Sequence, residues 1–315
     1  VIVMAIEFQP AAEADPARLA PLLDARHRAH RAAESLLAPA DAQAAVGAVL
    51  ASESASGVVA VRGDEVVGFL VAELRENEFW GHHAWIDYAG HAAADPELVR
   101  DMYAAAAPAW IDAGARLHLP LVPALAELLD PWYRLGFGQM QQHAIRAAGG
   151  GEPVLPDGVT IRAAGKPDLE RVAEELGAAV WDHQMLSPTF SGARPIEPER
   201  MRHDWLQAFD DPSDALFLAE RGEKLLGHVL LYREPPTLGI PKDAVHLSLM
   251  AVTPAARGQG VGVALSDHAC RWAAESGYGS ITADWRVANL LSSRFWPARG
   301  FRPTFLRLHR LVGIG

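Results

Sequence analysis

The chain has one cysteine in 315 residues, Cys270. A single thiol excludes an internal disulfide and fits a reducing compartment. On the apolar side of a predicted helix, it reads as a small core residue rather than a nucleophile. Long apolar runs are also missing: none reaches the roughly 18 residues that would span a bilayer. The first residues lack a basic region followed by an apolar stretch. These absences predict a cytoplasmic protein with no membrane partner. Positive charge is scarce, 28 basic against 39 acidic side chains for a formal net charge of −11, which argues against nucleic acid as partner. Such a field suits a cationic small molecule. The 13 histidines are scattered, and His27, or His82 beside His83, has no carboxylate or thiolate at ligand spacing, so no metal is expected.

What is present is enough apolar material for two domains of ordinary size, half of all residues being hydrophobic. Two phrases recur in the same order. Val58–Val71 is a hairpin pattern around Arg62-Gly63, and Leu216–Leu230 repeats it around Arg221-Gly222. Gly68 and Gly227 also match, each pair lying 159 positions apart (62 to 221, 68 to 227). Trp132 and Phe137 are echoed by Trp296 and Phe301 at an offset of 164 (132 to 296, 137 to 301). Order and spacing kept together mean a duplicated domain. The small, helix-breaking stretch Ala147–Pro153 reads as the joint. The expected division is residues 1–148, a linker at 149–156, and 157–315.

Each half begins with a strand and helices: Ile6–Pro10, Pro16–Arg31 and Ala40–Ser52 in the first, Val159–Arg162 and Pro167–Gly177 in the second. The halves then differ. In the second, the strand ending at Val252 turns through Thr253-Pro254-Ala255-Ala256-Arg257-Gly258-Gln259-Gly260-Val261-Gly262 into a helix, Val261–Ser276, stopped by Gly277. Leu265, His268, Ala269 and Trp272 form one face of that helix, while Asp267, Arg271 and Glu275 face water. Glycines at 258, 260 and 262 let a ligand approach the main chain, and the first helical N–H groups add donors at the positive end of the dipole. The natural ligand is a diphosphate. A Walker loop is excluded because Val263 and Ala264 stand where Lys and Ser/Thr are needed, and the glycine spacing excludes a dinucleotide fingerprint.

The pattern Leu-x-Val-x-Pro-x-x-Arg-Gly-x-Gly-x-Gly/Ala, with Met250 in place of Leu, resembles the acetyl-CoA motif of the GCN5-related N-acetyltransferase (GNAT) superfamily. The resemblance implies a mixed α/β fold, with about six or seven strands in the sheet of the second half, and acetyl-CoA as co-substrate. It implies contacts from Met250, Ala251, Val252, Arg257, Gly258, Gln259, Gly260, Val261 and Gly262, with Asn289 and Ser292 meeting the pantetheine arm or phosphates. Strands at Met250–Val252 and Ile281–Trp285 would splay to admit pantetheine, and the Val252 N–H would stabilise the oxyanion. The first half has Ala89–Glu97 at the matching place, with one glycine, no Arg, and Asp95 and Glu97 set to repel a diphosphate. It therefore reads as a degenerate GNAT fold with a structural or substrate-shaping role. The layout resembles that of tandem members such as mycothiol synthase.

Acetyl transfer to an amine needs a base, because an amine of pKa near 10 is protonated at neutral pH. His246, six residues before Val252 where several family members place Glu or His, is the first candidate, and Asp284 one strand over competes with it. Strand alternation puts Ser248 and Met250 on the face of His246. In Asn289–Pro297 the superfamily's usual Tyr, which protonates the departing thiolate, is Trp296; an indole can donate a hydrogen bond but cannot act as the acid. Ser293, Tyr232 or water could substitute, or no residue is needed. Trp296 is otherwise a packing residue. The acceptor pocket is expected in Trp181–Gly192, with Asp182 holding an ammonium against Trp181 or Phe190, although Trp181 and Met185 also fit a helix core. The expected activity is N-acetylation of a small cationic amine; the competing reading is a non-catalytic acyl-CoA sensor or scaffold. O-acylation and longer acyl donors stay open.

Overall fold

The computed structural model describes residues 5–78, 80–177 and 214–313, together with 199 and 203. The chain divides into two units. Unit 1 is Val1–Gln142 with Thr237–Gly239 and Pro303–Gly315; unit 2 is His143–Pro236 with Ile240–Arg302. Among the described residues, no helix is long and apolar enough to cross a membrane.

Unit 1 contains strands β1 (Ile6–Pro10), β2 (Ala55–Arg62), β3 (Glu65–Asn77), β4 (Gly81–Ile86), β5 (His91–Ala93) and β6 (Leu117–Pro123). Its helices are α1 (Pro16–Ala33), α2 (Ala42–Leu50), α3 (Leu98–Asp112) and α4 (Ala126–Arg134). Asp15 caps α1 by accepting from the Ala17 N–H at 2.9 Å, with Pro16 preset for the first turn. β7 (Gly138–Ala147) carries the chain into unit 2, where β8 (Thr160–Ala164), α5 (Lys166–Val172) and a turn of π-helix (Ala173–Gly177) follow. Next come β9 (Ala215–Arg221), β10 (Lys224–Tyr232), β11 (Ala244–Val252), α6 (Val261–Glu275), β12 (Ser280–Arg286) and α7 (Leu290–Ala298). The last strand, β13 (Arg302–Leu311), enters unit 1.

The strand order in unit 1 is β1-β2-β3-β4-β6-β13, all antiparallel except β4 with β6. Unit 2 runs β8-β9-β10-β11-β12, antiparallel except β11 with β12. By contacts the two units part at 142/143, a few residues before the joint expected at 149–156, and β13 pairs with β6 within unit 1 (Phe305 opposite Pro123, Leu311 opposite Leu117). Composition reports a flexible joint; strand pairing depends on partners far away in the chain.

The duplication holds in detail. Both hairpins shift register one step past the turn, between Ala60 and Val61 in one and between Leu225 and Gly227 in the other. Both Gly68 and Gly227 lie under a helix. A Cβ on Gly68 would sit 2.9 Å from Met102 Sδ on α3, and one on Gly227 would sit 3.1 Å from Leu265 on α6. Trp132 and Phe137 meet edge to face at 5.1 Å, as Trp296 and Phe301 do.

In unit 2 the two sheet faces bury separate clusters. Val229, Leu231, Val245, Leu247, Ile281, Ala283 and Trp285 pack with Val261, Leu265, Ala269 and Cys270 of α6. Leu218, Leu230 and Leu249 pack with Leu169, Val172 and Leu176 on the opposite side. Cys270 is a core residue as expected, 1% exposed. Asp267, expected in water, pairs with Arg299 at 3.0 Å.

Candidate active site

β11 and β12 pair over only four residues, Ala244–Leu247 with Ser280–Ala283, and then part. The cause is a bulge: Leu230 of β10 faces Leu249 while Leu231 faces Leu247, so Ser248 is an extra residue in β11. A bulge bends its strand and increases its twist, swinging the end of β11 away from β12. It also reverses the facing. Val245 and Leu247 point to α6 before it, whereas Met250 and Val252 pack on that side after it. The alternation expected from His246 to Met250 is thus wrong, since the extra residue moves Met250 to the opposite face. The splay also begins later than expected, because Ile281 to Ala283 remain paired.

The gap is a cavity of about 590 Å³. Met250, Ala251 and Val252 line one wall, and Asp284, Trp285 and Arg286 the other. Arg257, Gly258, Gly260, Val261 and Gly262 close one end, and Asn289, Ser292 and Trp296 complete the lining. Thr253 N–H donates to Leu226 C=O at 2.8 Å, so the neighbouring Val252 N–H faces away from β10, into the gap.

At the glycine turn, Gly258 and Gly260 have φ of 75° and 83°, left-handed conformations that a side chain would strain. The first intrahelical bond is Ala264 N–H to Gly260 C=O at 3.0 Å, so the Val261, Gly262 and Val263 N–H groups precede it. A Cβ on Gly258 would meet nothing within 4 Å, so there is room beside the main chain. Arg257 is exposed at the mouth. These features fit a diphosphate ester. The Gln259 side chain is spent within the turn: its NH₂ donates to Ala255 C=O at 2.7 Å, and its Oε1 accepts from Arg221 at 3.5 Å. Asn289, expected at the coenzyme, spends its Oδ1 capping α7, accepting from the N–H groups of Leu291 (3.1 Å) and Ser292 (3.3 Å). It lines the cavity all the same.

At the apex, ionisable groups converge on the face away from α6. Asp284, the first β12 residue past the pairing, lines the cavity. His246 lies behind it, 8% exposed, with Nε2 3.4 Å from Asp284 Oδ1. Its Nδ1 is 3.0 Å from Thr282 Oγ1 and 3.7 Å from Glu234 Oε2. Burial opposes charge on the imidazole, but the hydrogen bond and charge of Asp284, with the charge of Glu234, outweigh it and raise the pKa above its ordinary value. The imidazole expected from sequence as base thus lies between two carboxylates that favour its charged form. Tyr232, the register partner of His246, donates its hydroxyl to Glu234 Oε1 at 3.1 Å and is held protonated, chiefly by burial and then by the Glu234 charge. Glu234 and Thr282 escaped the sequence reading. The missing signal was register: Glu234 and Asp284 each follow a pairing partner of His246 by two.

Trp296 is 6% exposed, packed edge to face with Phe295 at 5.0 Å. It serves both the core and the cavity wall. Ser293 donates its hydroxyl to Val287 C=O at 2.8 Å. The expected acceptor residues Trp181, Asp182 and Phe190 lie outside the described residues.

In unit 1 the equivalent strands β4 and β6 also pair over four residues, His83–Ile86 with Leu117–Pro120. There the carbonyls are filled: Arg307 of β13, 3% exposed, donates Nη1 to Ile86 C=O (3.1 Å) and Leu119 C=O (2.8 Å) and stacks on Trp85 at 3.6 Å. Arg26 likewise donates to the carbonyls of His91 and Tyr88. Glu97 is engaged by Arg100 and Arg134.

In unit 2 a mixed sheet has two parallel strands that splay beside a glycine-rich helix start, the arrangement the sequence motif led us to expect. Residues 183–301 match the model of the Acetyltransferase (GNAT) family. A GCN5-related N-acetyltransferase from Sphaerobacter thermophilus aligns over 96% of this chain and 94% of its own at 14% identity, with a TM-score of 0.60. A tandem GNAT protein from the clavulanic acid biosynthesis pathway aligns over 99% and 100% at 14% identity, TM-score 0.50. These identities show likeness of fold. No curated protein matches the sequence. Residues 183–301 thus match the GNAT acetyltransferase family, and the whole chain shares its fold with GNAT proteins, a tandem one among them.

Proposed function

We propose that unit 2 moves the acetyl group of acetyl-CoA to the amine of a small cationic molecule, while unit 1 takes no coenzyme. One observation carries this reading: the glycine turn, the inward Val252 N–H and the Asp284 carboxylate all border one cavity. Bound acetyl-CoA would supply an activated acyl thioester. The amides from Gly258 to Gly262 would hold its paired phosphates, and the opened edges of β11 and β12 its amide arm. Val252 N–H would then face the oxygen on which negative charge develops. Asp284 would attract the ammonium and take its proton, directly or through water, freeing the lone pair to attack. Trp296 would wall the cavity. The thiolate would leave without an acid, since a thiol pKa of about 8.5 makes it a good leaving group.

In unit 1, Arg307 and Arg26 engage carbonyls of the equivalent opening, which supports a structural role for that half. Trp296 in place of an ionisable residue favours the second reading, a binding protein without turnover. Calorimetry and an amine panel followed by thiol release separate the two. Expected are one acetyl-CoA per chain and turnover on at least one amine. Asp284→Asn should lower kcat about 100-fold or more while leaving acetyl-CoA affinity within about twofold. Tight binding with no turnover on any amine favours the binding protein, and two coenzymes per chain would refute the role given to unit 1.

A further inference from the structure

Glu234 lies just past the end of β10 and does not border the cavity, yet it belongs to a chain of contacts that ends there. Tyr232 O–H donates to Glu234 Oε1 at 3.1 Å, Glu234 Oε2 stands 3.7 Å from His246 Nδ1, and His246 Nε2 stands 3.4 Å from Asp284 Oδ1. The imidazole is thus flanked by two carboxylates, one just past β10 and one on β12, its ring 5.2 Å from that of Tyr232. We infer that Glu234 is a positioning residue for the transfer: it keeps His246 charged, so that His246 holds the Asp284 carboxylate toward the cavity. This rests on the role proposed for Asp284.

The argument is one of donors and burial. An imidazolium donates from both nitrogens, which satisfies Thr282 Oγ1 on one side (3.0 Å) and Asp284 on the other. The bond to Asp284 is then charge-assisted, about twice as strong as a neutral one. Burial alone would discharge a histidine that is 8% exposed. The groups facing the ring are Tyr232 at the end of β10, Glu234 just past it, and Thr282 and Asp284 on β12. Asp284 and Glu234 both stand within 4 Å of the ring, on opposite nitrogens, so Asp284 is not its whole support, and Tyr232 fixes the orientation of Glu234.

The test is a titration of the histidine rings of the full chain by nitrogen-15 NMR, with the His246 signal identified by its loss in His246→Asn. Wild-type His246 should titrate above the ordinary histidine range, and Glu234→Gln should move the midpoint down by about one pH unit. Glu234→Asp, which keeps the charge, should stay near wild type. On an accepted amine, Glu234→Gln should lower kcat about tenfold at pH 8 and approach wild type at low pH, where His246 is protonated without help; acetyl-CoA affinity should not change. An unmoved His246 midpoint in Glu234→Gln overturns the inference, as does a kcat loss equal at every pH. If Glu234→Gln does not fold, Tyr232→Phe should shift the midpoint the same way by less, and no shift there counts against it. The NMR reading needs no turnover, so it decides the charge of His246 even where the acetyltransfer reading fails.

Discussion

At the scale of single residues, the glycine turn can be tested without disturbing the fold. Gly262, in the first turn of α6, does not need a left-handed φ. A Cβ there would make ordinary contacts: 3.5 Å to Val252, 3.7 Å to Phe295 and 3.8 Å to Met250. Alanine in a helix is favoured over glycine by up to about 1 kcal/mol, so Gly262→Ala should keep or slightly raise the melting temperature. The motif that this turn resembles takes Gly or Ala at the place of Gly262, so acetyl-CoA affinity measured by calorimetry should stay within about threefold, roughly 0.7 kcal/mol. A loss of tenfold or more would mean that the coenzyme needs bare main chain at this position too. This site was legible because its chemistry needs residues with no side chain, and missing side chains show in a sequence. Glu234 was not, because a carboxylate after a strand looks like any solvated turn residue until the register brings it to His246.

Elements were legible where a local pattern fixed them and illegible where a partner did. The hairpins and the α6 start repeat or punctuate the sequence, whereas the bulge at Ser248 has no compositional mark. It follows from fitting β11 against β10 while Leu247 and Leu249 find opposite cores. The paired glycines show how differently equivalent elements tolerate change. A Cβ on Gly68 would meet chiefly the Met102 side chain, whose sulfur at 2.9 Å can move. On Gly227 it would stand 2.5 Å from the main-chain oxygen of Ala251, which cannot give without shifting β11 at the cavity wall. Gly227→Ala should therefore destabilise by about 1–3 kcal/mol. Gly68→Ala should cost distinctly less, and only Gly227→Ala should also weaken acetyl-CoA binding. Denaturant melts of the two variants compare the costs directly. Equal losses would place the tight contact in the helices rather than in β11.

For the molecule as a whole, composition indicated two halves but not the passage of β13 into unit 1, because a strand's partner leaves no trace in its own residues. The histidines carry a whole-molecule consequence that composition also hides. Burial lowers His30 and His118 to about 4 and His228 to about 3, from an ordinary 6.5, and also lowers His27, His83 and His91. A histidine with a depressed folded-state pKa contributes stability that is complete above about 6.5 and drains away as pH falls toward its folded value, because the unfolded chain takes up the proton first. His246 has the opposite sign, its contribution complete below 6.5 and lost as pH rises through its raised value. The depressed group is the larger, so the melting temperature should fall from pH 7 to pH 5, before most carboxylates titrate. Each buried histidine adds a slope of at most about 1.4 kcal/mol per pH unit. Replacing the fully buried His228 by Leu should flatten the curve measured by scanning calorimetry, whatever it does to stability at pH 7. An acid slope identical in His228→Leu and wild type would mean that His228 keeps a proton inside the fold, and that the sheet there admits charge.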